Sequence, residues 1–235
     1  VSARATEHIT SMYAYGDTIV LFKPTLASDD QFRGSFDEAL SYFIGRDGTE
    51  DTGFAIKGWT AVRFVNDKII TSDSTATAMG NYYFTCASTG EKSKVEYTFG
   101  YQRCDDGKVR IILHHSSVPY KASGTAAVTK EYAISSQKTV TKEDVIVVQT
   151  AWANAIKNIS KVYLEKGDYV SAAADAAGEL YAYGKYNVLF KPTKAAEHQF
   201  RPRAEEAMSY FVGCKVVGNG YTEDGGFAIN GGKGW

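Results

Sequence analysis

Apolar residues recur at helical spacing from about Glu143 to Glu165, with Val145, Val148, Trp152, Ala155, Ile156, Ile159 and Tyr163 on one face. Thr141, three residues before Asp144, supplies an N-cap, and Gly167 supplies a stop, so a long amphipathic helix is predicted there. Ser35 to Ile44 shows the same period over a shorter span, with Phe36, Ala39, Leu40 and Phe43 on one side. Ile19 to Lys23 reads as a strand. After Trp59 the period switches, and strands are expected at 59–65, 68–72, 76–85, 94–103 and 109–117. Their breaks carry turn chemistry at Asn66-Asp67, Thr89-Gly90 and Asp105-Asp106-Gly107. A long helix, short helices and then an antiparallel meander predict an α+β fold, a curled sheet wrapped on helices.

The same pattern is written twice. Met12-Tyr-Ala-Tyr-Gly16 returns as Leu180-Tyr-Ala-Tyr-Gly184, and Val20-Leu-Phe-Lys-Pro-Thr25 as Val188-Leu-Phe-Lys-Pro-Thr193. Gln31-Phe-Arg33 returns as Gln199-Phe-Arg201, and Ala39-Leu-Ser-Tyr-Phe43 as Ala207-Met-Ser-Tyr-Phe211, all at an offset of 168 residues. Glu50-Asp-Thr-Gly-Phe-Ala-Ile56 follows as Glu223-Asp-Gly-Gly-Phe-Ala-Ile229 at an offset of 173, after a longer Gly-rich loop. Identity at fixed offset marks a repeat. Copy one is assigned to residues 1–121 and lacks its first helix. An Ala, Ser, Thr and Lys-rich linker follows at 122–140. Residues 141–235 are the N-terminal part of copy two, without most of its sheet. The expectation is roughly one and a half units of a longer tandem array, completed by helix 143–165 folding back or by exchange between chains.

Composition narrows the function classes. The chain has 26 Lys and Arg against 27 Asp and Glu, interspersed, so it offers no concentrated basic surface for nucleic acid or an anionic membrane. With 44% hydrophobic residues it carries enough apolar material for one or two cores. No stretch approaches the ~18 apolar residues of a membrane span. Cys86, Cys104 and Cys214 are an odd set without C-x-x-C spacing, which fits free thiols better than disulfides or structural zinc.

The most distinctive polar run is Leu113-His-His-Ser-Ser117, at the end of the last predicted strand. Regular alternation puts Ile111, Leu113, His115 and Ser117 on one face, and Ile112, His114 and Ser116 on the other. If the first face lines the interior, His115 and Ser117 stand at its mouth. The bland alternative is a pair of His bonded to backbone or water. His114 and His115 point oppositely on a straight strand, so they cannot chelate one ion, and no His pair has the i, i+4 spacing of zinc proteases. Thr25 after Lys23-Pro24 and Tyr42 in the short helix are further polar groups in apolar surroundings, each with a structural reading as turn hydroxyl or amphipathic core residue. Tyr97, Phe99 and Tyr101, at period two, read as core lining. No nucleophile elbow, P-loop or dinucleotide fingerprint is present.

Tyr-Ala-Tyr-Gly, Val-Leu-Phe-Lys-Pro-Thr, Ala-x-Ser-Tyr-Phe, Gly-Phe-Ala-Ile, Ala-Met-Gly-x-Tyr, Val-Glu-Tyr-Thr-Phe-Gly-Tyr and His-His-Ser-Ser, in that order, resemble the iota-class carbonic anhydrases of algae and bacteria. The resemblance implies a cone-shaped curved sheet around a long helix, similar to nuclear transport factor 2 and SnoaL folds and to the association domain of calcium/calmodulin-dependent kinase II. It implies CO2 and bicarbonate as substrates and no required metal, with manganese or zinc as the alternative. Carried over, Thr25, Tyr42, His115 and Ser117 match the bicarbonate-binding positions, with Tyr42, His115 and Ser117 as the catalytic set. Copy two keeps Thr193 and Tyr210 as an incomplete second site. The same resemblance implies a homo-oligomer or pairing between repeats, and a plastid location. The competing reading is a non-catalytic oligomerisation scaffold of the same fold. A third, an isomerase or dehydratase, would place an Asp/His pair in the cone, and no Asp is clearly inward-facing.

Overall fold

A computed structural model describes residues 2–120 and 140–230 of the chain. The linker predicted at 122–140 falls, except for Val140, outside the described residues. The chain divides into two compact units, Val1–Pro119 and Tyr120–Trp235.

Unit 1 runs α1 (Ser2–Met12), β1 (Leu21–Lys23), α2 (Phe36–Ile44), a 3-10 turn (Phe54–Lys57), then β2 (Trp59–Ser72), β3 (Thr75–Cys86), β4 (Lys92–Arg103) and β5 (Val109–Ser117). The five strands form one curved sheet in the order β1-β5-β4-β3-β2. β1 lies parallel to β5, and the other neighbours are antiparallel hairpin partners. α2 begins at Ser35, whose hydroxyl accepts from the Glu38 N–H while the Glu38 carboxylate accepts from the Ser35 N–H. This reciprocal cap satisfies two helix-end donors.

Two of the predicted strands are one. β2 continues through Asn66-Asp67: Asn66 pairs with Gly80 and Lys68 with Met79, leaving Asp67 as an extra residue. The turn chemistry there is a β-bulge. Gly80 makes it possible, because a Cβ at that position would run into the Val65 carbonyl oxygen and stand 2.9 Å from the Asn66 Cα. The breaks predicted at Thr89-Gly90 and Asp105-Asp106-Gly107 are hairpin turns, with positive φ at Gly90 and Gly107. One face of the sheet carries Tyr82, Phe84, Tyr97 and Phe99, which pack with Ile9, Tyr13, Phe22 and Tyr42 into the unit's core.

Unit 2 consists of α3 (Lys142–Leu164), α4 (Tyr169–Leu180), α5 (Ala204–Val212) and the short α6 (Cys214–Val217), with no strand among its described residues. α3 starts at Thr141 with the same reciprocal capping, Asp144 taking the place of Glu38. α1 and α4, equivalent in the repeat, were not anticipated from periodicity. Residues 188–193 repeat the β1 sequence but form no strand, since a ladder needs a neighbour and no described residue of unit 2 supplies one.

The repeated Gln-Phe-Arg, Ala-x-Ser-Tyr-Phe and Glu-Asp-x-Gly-Phe motifs form one buried clamp in each unit. Arg33, almost fully buried, meets the Asp51 carboxylate at 2.7 Å, and Ser41 donates to the other Asp51 oxygen at 2.5 Å. In unit 2, Arg201 meets Asp224 at 2.9 Å and Ser209 donates to it at 2.6 Å. Tyr15 and Tyr183 donate to the backbone carbonyls of Arg33 and Arg201, both at 2.7 Å. These motifs hold the loop before α2 or α5 to the loop after it, which fixes the helix carrying Tyr42 or Tyr210.

Candidate active site

The polar centre of unit 1 is His114, and β5 brings it inward through a bulge. Gly100 pairs with Leu113, but Tyr101 pairs with Ile111, so Ile112 is an extra residue in β5. The extra residue shifts the alternation by one position. Ile111, His114 and Ser116 are therefore buried, His115 is exposed and Ser117 is half-buried. The inward placement expected for His115 and Ser117 is corrected accordingly. Ser117 lies on the opposite face of the sheet, where its hydroxyl donates to Glu96 Oε2 at 3.4 Å.

Aromatic rings enclose the His114 imidazole. Phe22, its register partner on β1, stacks on it at 4.6 Å and 17°, and Phe99, its partner on β4, meets it edge-on at 4.1 Å. Its polar edges are matched: Nδ1 lies 2.7 Å from the Tyr13 hydroxyl, while Nε2 lies 2.8 Å from Ser116 Oγ and 3.4 Å from the Tyr82 hydroxyl. Ser116 and Tyr82 are themselves in close hydroxyl contact. Complete burial, with a smaller contribution from the charge of His115, pushes the His114 pKa down to about 3. A neutral imidazole is thus the form present near neutrality. Burial pushes the Tyr82 phenol up to about 12, partly offset by hydrogen bonding with Ser116 and Thr25.

Thr25 and Tyr42 close the same cluster from β1 and α2. Pro24 is fully buried and ends β1, which delivers the Thr25 hydroxyl to Tyr82. Tyr42 is buried edge-on against Phe22 at 5.7 Å, its hydroxyl held by the Leu26 backbone N–H, and burial raises its pKa. Of the four residues expected to converge, Thr25 and Tyr42 do so, together with His114 and Ser116 in place of His115 and Ser117. Tyr13 and Tyr82 were given no role from sequence. Both sit in motifs singled out there (Met-Tyr-Ala-Tyr-Gly and Ala-Met-Gly-x-Tyr), and that was the available signal.

In unit 2, Tyr210 is buried and stacked on Phe227 at 5.5 Å and 13°, matching Tyr42 on Phe54 at 5.7 Å and 12°. Thr193 is exposed, and no histidine of the described residues joins the pair. No group of three or more His, Cys, Asp or Glu able to hold a metal ion occurs among the described residues, and none of their helices is long and apolar enough to cross a membrane.

Comparison with known proteins places this arrangement in a family. A relative from Nostoc sp. strain PCC 7120, a metal-independent carbonic anhydrase, is 43% identical over 122 residues, which is 51% of this chain and 59% of the relative. The chain thus spans well under two thirds of that relative's length. A crystal structure of a cyanobacterial iota-carbonic anhydrase complexed with bicarbonate is 41% identical, with a TM-score of 0.49, covering 52% of this chain and 75% of that one. A putative calcium/calmodulin-dependent kinase II association domain from Thiobacillus denitrificans is 17% identical, with a TM-score of 0.36, over 50% of this chain and 84% of its own. The family described as metal-independent carbonic anhydrase matches residues 1–118 and again 143–235. With both copies matched over most of their length, the chain belongs to the metal-independent carbonic anhydrase family.

Proposed function

We propose that unit 1 catalyses the reversible hydration of CO2 to bicarbonate and a proton, without a metal ion, at the cluster of Thr25, Tyr42, Tyr82, His114 and Ser116. Family membership supports the reaction. The observation that carries the location is the buried imidazole bonded to Ser116 and Tyr82 and walled by Phe22 and Phe99. The roles carried over to His115 and Ser117 pass to His114 and Ser116 on this reading.

The chemistry follows from the group types present. CO2 is apolar and suits a ring-lined pocket, whereas bicarbonate carries charge on its oxygens. The hydroxyls of Ser116, Thr25 and Tyr42 can each donate a hydrogen bond, so they stabilise charge as it develops during attack by water. In a low-dielectric site such donors are worth more than in water. His114 stays neutral through the reaction, because burial disfavours imidazolium. The attacking water's proton leaves to solvent rather than resting on the ring.

Stopped-flow CO2 hydration in the presence of chelator, with the full chain, tests this reading. Chelator-resistant activity that falls at least ~100-fold in Ser116→Ala supports it, by the usual size of an oriented-donor effect. Activity restored only by zinc or manganese would replace it with the metal-dependent alternative. A folded chain with no activity under any condition would favour the scaffold. Assembly with further copies belongs to the same proposal. It is supported by exposed apolar side chains on β2 (Val62, Phe64, Ile69) and α3 (Val145 to Val148), and sedimentation tests it. The plastid location rests on the resemblance to algal relatives, and fractionation of the source cells tests it.

A further inference from the structure

His114 can exist in two neutral forms, and the hydroxyls around it do not treat the two alike. A neutral imidazole has one N–H donor and one bare nitrogen. At Nδ1 the neighbour is the Tyr13 hydroxyl at 2.7 Å, the one hydrogen-bond partner of that phenol among the described residues. Tyr13 is buried, walled by Phe22, Phe43 and Tyr15. If Nδ1 carried the proton it would donate to the phenol oxygen, and the phenol O–H would be left in an apolar core with no acceptor. Leaving a buried donor unmet is the costly arrangement. If Nδ1 is bare, the phenol donates to it and every proton is used. Nε2 then carries the N–H and aims it at Ser116 Oγ, 2.8 Å away.

Unit 2 shows the other side of the same phenol. Tyr181, equivalent to Tyr13 at the 168-residue offset, accepts a hydrogen bond from the indole Nε1–H of Trp152 at 3.0 Å. An indole nitrogen is a donor only, so the Tyr181 oxygen acts there as acceptor and its own proton is free to donate elsewhere.

We propose that Tyr13 is a positioning residue that fixes His114 as the Nε2–H tautomer, so that the ring acts as a neutral donor to Ser116 and not as a base. Hydrogen bonds then run in one direction, from Tyr13 to His114 to Ser116, and the Ser116 hydroxyl points its own proton at an oxygen of the substrate. Such chains polarise one another, so each donor strengthens the next. The catalytic meaning of this chain rests on the reading above, but the tautomer itself does not.

The test is long-range proton–nitrogen NMR of the full chain labelled with 15N-histidine, the His114 signals being assigned by their loss in His114→Gln. The expected result is a protonated Nε2 and a bare, hydrogen-bonded Nδ1. Tyr13→Phe keeps the ring and its packing; it should lose the Nδ1 hydrogen bond and populate the Nδ1–H form. Its CO2 hydration kcat should fall about tenfold, the value of one oriented hydrogen bond of about 1.4 kcal/mol, with KM changed less than about twofold. Tyr82→Phe, which removes the neighbour on the other ring edge, should leave Nδ1 bare. An Nδ1–H form in the unaltered chain would overturn the proposal, as would a Tyr13→Phe chain whose tautomer and kcat are both unchanged. A tautomer that shifts as expected in a chain with no hydration activity would uphold the positioning role and sink the CO2 reading instead.

Discussion

His114 stands directly opposite Phe99 across the β4–β5 ladder, with the two rings 4.1 Å apart on the core face of the sheet. The pairing exists because Ile112 is an extra residue in β5, which moves every later side chain to the opposite face from the one regular alternation assigns. Two neighbouring His-Ser pairs therefore have opposite surroundings, and their exchange is the sharpest experiment on this protein. His114→Gln and Ser116→Ala should each lower CO2 hydration by ~100-fold or more. His115→Gln and Ser117→Ala should leave it within about twofold of the starting rate. The reverse order of effects would return the site to the other face of the strand.

Protonation of His114 should destabilise unit 1 in acid. Its folded pKa, about 3, lies below the ordinary value of about 6.5, so between these values the unfolded chain binds a proton that the folded chain does not. Stability present above roughly pH 6.5 is lost progressively as pH falls towards 3. Denaturant titrations of the unaltered chain and of His114→Gln should diverge over this window by about 1.4 kcal/mol per pH unit. Parallel curves would mean that the ring is accessible to protons in the folded state.

The Arg33–Asp51 pair is buried on both sides and shares its carboxylate with Ser41. Arg33→Met should cost about 3–5 kcal/mol of unit 1 stability, because it leaves the Asp51 charge buried and uncompensated. The double variant Arg33→Met, Asp51→Leu should recover much of that loss. Differential scanning calorimetry would show both, and a double variant as unstable as the single one would mean that the clamp matters through geometry rather than charge.

Gly80 faces the bulge at Asp67, and a Cβ there would meet backbone atoms of the neighbouring strand rather than a movable side chain. Gly80→Ala should therefore cost about 1–3 kcal/mol, by the usual size of overpacking. Hydrogen exchange should show the loss concentrated in β2 and β3. Protection unchanged along Trp59–Ser72 would indicate that the strand absorbs the shift elsewhere.

Much of the fold was legible because local rules suffice where local interactions dominate. The α3 boundary follows from Thr141 and Asp144, the α2 helix from the period of Phe36, Ala39, Leu40 and Phe43, and the later hairpins from Gly90 and Gly107. The repeat, the switch of period after Trp59 and the motifs of the family could also be read directly from the residues. Three features could not, since each depends on atoms far away in the chain. Asn66-Asp67 has the composition of a turn, and it becomes a bulge because Gly80 on the next strand leaves it room. Ile112 looks like any strand residue; only the register of β5 against Gly100 and Tyr101 makes it the extra one, and so decides that His114 faces in and His115 faces out. Tyr13 lies 101 residues before His114, and their hydrogen bond exists only once α1 and the sheet have packed together. The sequence alone determined which elements form and what family they belong to, because spacing, capping and motif are properties of neighbouring residues. Which of two adjacent histidines faces the core was decided by tertiary structure, because strand phase is set by the partner strand.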